Sequence, residues 1–209
     1  MKLSLVFFAG AVLCSNVLHA AIIFSNLGSG FDPANGLSVN EGVAVPFTVS
    51  LTAPGGQAYV LSDIQIAASD SDSADIAAVA LYDDSGVGGT PGNERDSIGI
   101  DLGITAGVVT ANSINHPVLV HGDTYWVVLT SSDANGAASW NFDELGVAGA
   151  ATETAGVWTY NPTAYTQGAV EVDAALVSSV PEPGTLTTLG AGLSALLLLS
   201  RRRIRKQLH

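Results

Sequence analysis

The chain has 209 residues, with 19 acidic and 7 basic side chains and a formal net charge of -12. Its length allows one or two domains. Five of the seven basic residues lie in residues 201–209, so the rest of the chain is strongly acidic, which excludes a nucleic-acid partner because phosphates would be repelled.

The N-terminal segment has the three-part layout of a secretory signal peptide. Lys2 is followed by an apolar stretch and then by small residues that end near Ala20. We therefore expect residues 1–20 to engage the export machinery and to be cleaved, the alternative being a buried N-terminal helix. The only cysteine, Cys14, lies in this segment, so the mature chain would contain no disulfide.

The body of the chain, residues 21–177, shows the alternation of apolar and polar side chains that is typical of half-buried strands. The alternation is clearest over residues 43–51, 98–104 and 170–176, and no long helical pattern appears. Further strand candidates are residues 58–67, 76–83, 107–112, 125–131, 138–142 and 157–160, separated by Gly- and Pro-containing turns, and 162–167 is expected to be a loop. This spacing predicts one all-β domain, an antiparallel, jelly-roll-like β-sandwich.

Five aspartates are candidate ligands for a metal ion. Carboxylates in loops suit calcium, although the pattern is not an EF-hand because Asp75 replaces the glycine of the sharp turn and no Glu follows at the twelfth position. The alternative is a solvated acidic loop, and no other cofactor is expected. The candidate ligands are Asp70, Asp72, Asp75, Asp83 and Asp84.

Aromatic residues of the body are candidates for stacking against sugar rings. The alternative is that they belong to the core, as most aromatics in a sandwich do. The candidates are Trp126, Trp140, Trp158 and Tyr160, together with Tyr165 and the polar partners Asn141 and Asp143.

Catalytic signatures are lacking in the body. His116 and His121 are its only histidines, and the sequence has no His-Glu-x-x-His motif, no Gly-x-Ser-x-Gly elbow and no cysteine after residue 14. We therefore expect a non-enzymatic protein. A surface hydrolase that uses one of these histidines with carboxylates is the distant alternative.

The C-terminal segment combines a rigid motif, an apolar run and a basic end. Residues 178–184 form a predicted linker that contains Pro181, Glu182 and Pro183, and residues 185–200 carry no charge. Sixteen helical residues span about 24 Å, slightly less than a bilayer core, so we predict one short transmembrane helix at 185–200. An ordinary single-pass anchor or an amphipathic core helix is the alternative. The positive-inside rule places the basic tail, residues 201–209, in the cytoplasm through Arg201, Arg202, Arg203, Arg205 and Lys206.

In this order, Pro181-Glu182-Pro183, the short apolar run and the Arg-rich end resemble the PEP-CTERM sorting signal of Gram-negative bacteria. The resemblance implies that an exosortase recognises the three-residue motif and removes the tail. It also implies an inner-membrane intermediate, followed by the cell surface or the extracellular matrix.

The body, over residues 22–176, resembles the choice-of-anchor domains, and choice-of-anchor R in particular. The resemblance lies in residues 59–64, 79–84, 89–92 and 122–129 and in Trp140. These bacterial extracellular β-sandwich domains precede alternative sorting tails, and the resemblance brings no catalytic residues. The expected function is a secreted, exosortase-sorted envelope protein associated with exopolysaccharide or biofilm. A carbohydrate-binding module, with or without assistance from calcium, is the alternative.

Overall fold

The computed structural model describes residues 20–28, 31–32, 37, 41–55, 57–70, 76–102, 107–131, 138–143 and 146–178. These residues form an all-β structure whose strands pair antiparallel, as the sequence predicts. Within these ranges no helix is long and apolar enough to cross a membrane. The predicted transmembrane helix, the Pro-Glu-Pro motif, the basic tail and residues 1–19 of the predicted signal peptide lie outside the described residues.

The described residues form fourteen strands. They are β1 (Ala20–Ser25), β2 (Phe31–Asp32), β3 (Glu41–Thr48), β4 (Gln57–Asp70), β5 (Ile76–Asp83), β6 (Glu94–Asp101), β7 (Gly107–Asn112), β8 (Val118–Leu119), β9 (Thr124–Ser131), β10 (Ala138–Trp140), β11 (Phe142–Asp143), β12 (Ala148–Thr154), β13 (Val157–Thr166) and β14 (Val170–Ser178).

The first sheet is organised around β4, its longest strand. One edge of β4 pairs with β14 and then with β10, and the other edge pairs with β8 and β7. Strand β1 completes the sheet by pairing with β14, so the first and the last described strands are neighbours.

The second sheet has the strand order β13-β12-β3-β9-β5-β6. Strands β3, β9 and β5 form its centre, with long uninterrupted pairing on both edges of β9. A separate pair, β2 with β11, lies outside the two large sheets.

The two large sheets share one hydrophobic core. The first sheet contributes residues such as Leu61, Ile64 and Val172, and the second contributes residues such as Val45 and Leu129, all with no exposed surface. Side chains of alternate residues enter this core because successive residues of a strand point to opposite faces. The predicted inward faces of residues 43–51 and 170–176 are therefore confirmed.

Residues 162–167 are not the loop that the sequence predicts, because strand β13 continues to Thr166. Its pairing with β12 shifts register, so that Ala148 pairs with Thr166 and Ala150 already pairs with Asn161. The intervening residues bulge, and the side-chain oxygen of Asn161 accepts hydrogen bonds from the amides of Thr163 and Ala164. Pro162 is tolerated there because β13 is an edge strand, where a missing amide donor breaks no ladder.

Candidate functional site

A pocket of about 330 Å³ opens at the end of the sandwich, where the bulge of β13 arches over β3 and β12. We call it the end pocket. Its walls combine aromatic rings, threonine hydroxyls and two carboxylates, which is the mixture of apolar surface and a few polar groups that ligand sites use. The lining residues are Leu37, Glu41, Gly42, Val43, Trp140, Phe142, Ala150, Thr152, Glu153, Thr154, Ala164, Tyr165, Thr166 and Gly168.

Trp140 forms a fixed wall of the end pocket. Its indole nitrogen donates a hydrogen bond to the carbonyl oxygen of Ala169 at 3.0 Å. Its ring lies so close to Gly168 that a side chain there would collide with it. Tyr165, in contrast, is 45% exposed at the mouth of the pocket, so it is the more accessible ring.

A second aromatic group covers the outer face of the second sheet. Trp126 is 1% exposed there and packs on Ala44 and Ala151, away from the main core. Its indole nitrogen donates to Asp84 at 2.8 Å, and Tyr160 meets its ring edge-on, with the centroids 5.2 Å apart. Trp126 is therefore covered and has no free face for a ligand.

The rim of this outer cluster is formed by Trp158 and Tyr82. Trp158 contacts Gly42, where an added Cβ atom would stand 3.0 Å from the ring, so the glycine leaves room for the tryptophan. Tyr82 donates to Glu94 at 3.0 Å. Burial, this hydrogen bond and the charges of Glu94 and Glu153 raise the pKa of Tyr82 to about 12.

The structure does not bring the four predicted sugar-stacking residues together. Trp126 and Tyr160 belong to the outer cluster with Trp158, whereas Trp140 is in the main core and faces the end pocket. Trp126 and Trp140 are both at most 2% exposed, so neither offers an open ring face. Tyr165 and Asn141 lie near Trp140, and the side chain of Asp143 is outside the described part.

Asp83 organises the loop between β5 and β6. Its carboxylate accepts hydrogen bonds from the amides of Ser85 and Asn93, and Arg95 pairs with it at 2.7 Å. Burial favours the neutral acid, but the hydrogen bonds from Ser85 and Asn93 outweigh it and hold the pKa of Asp83 well below its usual range. Asp83 is thus already occupied by protein donors.

The other candidate calcium ligands divide between described and undescribed parts of the chain. Asp84 accepts the hydrogen bond from Trp126, while Asp72, Asp75 and the side chain of Asp70 lie outside what the structure describes. Among the described residues no group of three or more carboxylate, histidine or cysteine side chains is arranged to hold a metal ion. The calcium hypothesis for the 70–75 segment stays a prediction.

The two histidines lie on the surface. The Nδ1 atom of His116 is 3.1 Å from the carbonyl oxygen of Leu61, and the amide of His116 bonds to Ser113. His121 is exposed in the turn before β9. An open groove nearby contains Asp83, Asp84 and Asp123, but its described lining includes neither histidine.

Two buried polar residues were not singled out from the sequence. Asp96 has no exposed surface and accepts hydrogen bonds from the Ser113 hydroxyl and from the amides of Ile114 and Asn115. Asn26 accepts a bond from the amide of Val170 and donates to Gln167. Their partners are distant in sequence, so no local motif marks them.

Carboxylates also meet on the outer face of the first sheet. Asp173 pairs directly with Asp63 across neighbouring strands, and Gln65 donates to Asp173 at 3.1 Å. Burial and the charge of Asp63 raise the pKa of Asp173 above its ordinary value.

The comparison with family models identifies the C-terminal end of the chain. Residues 179–203 match the PEP-CTERM protein-sorting motif, so the predicted recognition signal for an exosortase is confirmed. The motif implies an exosortase-sorted extracellular protein that passes through a membrane-anchored intermediate to the cell surface. No curated protein matches the chain.

Proposed function

We propose that this protein is a non-enzymatic envelope or matrix protein of a Gram-negative bacterium. Its acidic β domain is exported behind an N-terminal signal, held at the inner membrane by its C-terminal segment and released from it by an exosortase. The released domain then associates with exopolysaccharide or biofilm. We keep the choice-of-anchor and jelly-roll assignments as part of this proposal.

The observation that carries the proposal is the position of the matched motif. It begins at residue 179, directly after the last residue of β14, so the folded domain and the sorting segment adjoin without an intervening domain. The charge distribution agrees, because the basic residues that orient the segment are concentrated after the apolar run, from Arg201 onward.

The test is the mass of the protein before and after sorting. In cells with the exosortase we expect the surface or matrix protein to lack Arg201 and the residues after it. In an exosortase-deficient strain the full tail should remain and the protein should stay with the inner membrane. A tail that persists at the surface of normal cells would rule out processing.

A carbohydrate-binding module is the second candidate, and the end pocket favours it. Tyr165 is exposed beside a concave surface that carries the hydroxyls of Thr152, Thr154 and Thr166, and aromatic rings with adjacent hydroxyls suit sugar rings. The carboxylates of Glu41 and Glu153 in the lining disfavour uronate-rich polymers and favour neutral or amino sugars.

Strand β13 carries one tyrosine in the end pocket and another in the outer cluster, so substitutions on this strand can test which of the two binds sugar. We expect Tyr165→Ala to abolish binding to the exopolysaccharide purified from the producing cells, measured by affinity electrophoresis. Tyr160→Ala, on the same strand but in the outer cluster, is the matched control and should leave binding unchanged. If the two variants bind the exopolysaccharide equally well, a sugar site in the end pocket is contradicted.

A further inference from the structure

The outer face of the first sheet is apolar near one end of its strands and polar toward the other end. One row of directly paired residues crosses β14, β4 and β8 and consists only of apolar side chains. Ala20 of β1 pairs with this row but belongs to the segment that we expect to be cleaved. None of its members belongs to the main core, and Val118 is 53% exposed. We call this the apolar row: Ala175, Val60 and Val118.

The next row toward the other end of the sheet is polar on three of its four strands. There Asp173 pairs with Asp63, and Asp63 pairs with Asn112, while Ile22 on β1 is apolar and 56% exposed. Glu171 and Gln65 form the row after that. The acidic half of this face thus lies away from the apolar row.

The apolar row lies at the end of the sheet from which the chain continues into the sorting motif. Beyond it on the same face follow Val177 and its partner Ala58, and β14 ends at Ser178. Thr185, where the apolar run begins, follows Ser178 by seven residues, a separation of at most about 25 Å. A membrane that holds this run therefore lies close to this end of the sheet.

We infer that the apolar row is a docking surface for the lipid bilayer while the C-terminal segment is still attached. The inference rests on the proposed membrane-held stage. The tether keeps the domain at a high effective concentration near the lipid, so a surface of a few aliphatic side chains suffices. Anionic headgroups repel the half of the face that carries Asp63 and Asp173. The groove beside Val118 also contains aspartates, so zwitterionic headgroups are the favoured contact for the row.

The apolar row is less suited to a protein partner than to a lipid bilayer. Protein interfaces are usually centred on aromatic or arginine anchors, and the described part of the apolar row contains neither. Contact with lipid requires only exposed aliphatic area, which the row provides.

The experiment uses the chain from Ala21 to His209, which keeps the tail and lacks the segment that we expect to be cleaved, reconstituted into vesicles of phosphatidylethanolamine and phosphatidylglycerol. This chain contains no cysteine, so Val118→Cys carries the only fluorescent label, on the apolar row. Thr110→Cys is the matched control, since it lies on β7 in the polar half of the same face. Val177→Cys is a second probe in case the first variant fails to fold.

We expect a nitroxide on the lipid to quench the labels at residues 118 and 177 and to leave the label at 110 unquenched. Co-flotation with the vesicles but equal quenching at all sites would overturn the docking surface and leave the proposed sorting intact. Failure to co-float would overturn the membrane-held stage together with the inference. Shielding of residue 118 only after exosortase is added would replace the bilayer by a protein partner.

Discussion

Asp96 is a fully buried carboxylate whose charge is satisfied by four donors rather than by a cation. Its hydrogen bonds reach from β6 to residues 113–115 and connect the strand to the loop before β8. In sequence Asp96 follows Glu94 and Arg95 and looks like part of an exposed polar run. Its burial could not be predicted because its main partners lie 17 to 19 residues further along the chain.

We expect Asp96→Ala to lower the free energy of unfolding by about 2–4 kcal/mol, because buried donors lose a charged acceptor. Urea unfolding followed by circular dichroism measures the effect. Asp101→Ala, at the exposed end of the same strand, is the control and should change stability by less than about 0.5 kcal/mol. Similar effects of the two substitutions would show that the hydrogen-bond network contributes little.

Asp173 opposes Asp63 and should reduce stability at neutral pH. Because its pKa is raised in the folded protein, its contribution is fully present below the unfolded value of 3.8 and is lost as the pH rises through the folded pKa. Asp173→Asn removes the like charge, so we expect it to stabilise the protein at pH 7 by up to about 1 kcal/mol.

Thermal unfolding from pH 3 to pH 8 tests this expectation. The advantage of Asp173→Asn over the unaltered protein should shrink as the pH falls toward 3. Asp123→Asn, in an exposed turn, controls for the change in net charge. A destabilising effect of Asp173→Asn at pH 7 would mean that its hydrogen bond with Gln65 outweighs the repulsion.

Among the elements, the strands with strong alternation could be predicted and the small-residue strands could not. Successive residues of the predicted strands 76–83 and 125–131 do point to opposite faces, since Leu81 and Tyr125 lie in the main core whereas Tyr82 and Trp126 lie in the outer cluster. Strand β12 begins Ala148-Gly149-Ala150-Ala151, which has no hydrophobic contrast to reveal a period of two.

The end pocket was likewise hidden from the sequence. It exists because residues 162–165 bulge out of the β12–β13 pairing and carry Ala164 and Tyr165 over the end of the sandwich. The single glycine opposite the bulge, Gly149, has a positive φ of 110°. No local sequence pattern predicts a bulge of this kind, and Asn161 and Pro162 are residue types that indicate a loop.

Gly168, in the segment before β14, packs against the Trp140 ring of β10, and a substitution there tests how much this contact contributes to stability. Gly168→Ala would drive a methyl group into the Trp140 ring, so we expect a loss of about 1–3 kcal/mol from overpacking. Tryptophan fluorescence should change as the indole shifts. Gly55→Ala, where nothing lies within 4 Å of the added methyl, is the control and should leave both stability and emission unaltered.

At the scale of the whole molecule, residues 21–177 carry a large excess of negative charge with Arg95 as their only basic residue. Self-repulsion destabilises such a body, and salt screens it. We expect NaCl to raise the melting temperature of the tail-free domain.

Calcium and magnesium at equal concentration should raise the melting temperature more than NaCl does. The two ions should have the same effect, because both act by screening. Differential scanning fluorimetry compares the two ions. A rise specific to calcium would instead indicate a site at Asp70, Asp72 and Asp75. Asp72→Asn should then abolish the difference.

The neighbouring positions of β1 and β14 set the order of events during export. Translocation delivers the chain from its N-terminus, yet β14 lies between β1 and β4 in the first sheet. Phe24 of β1 pairs with Val172 of β14, so β1 has no neighbouring strand in this sheet until β14 has arrived. The first sheet therefore closes only when the residues directly ahead of the sorting motif have crossed, which makes completion of the fold a signal that translocation has reached the tail.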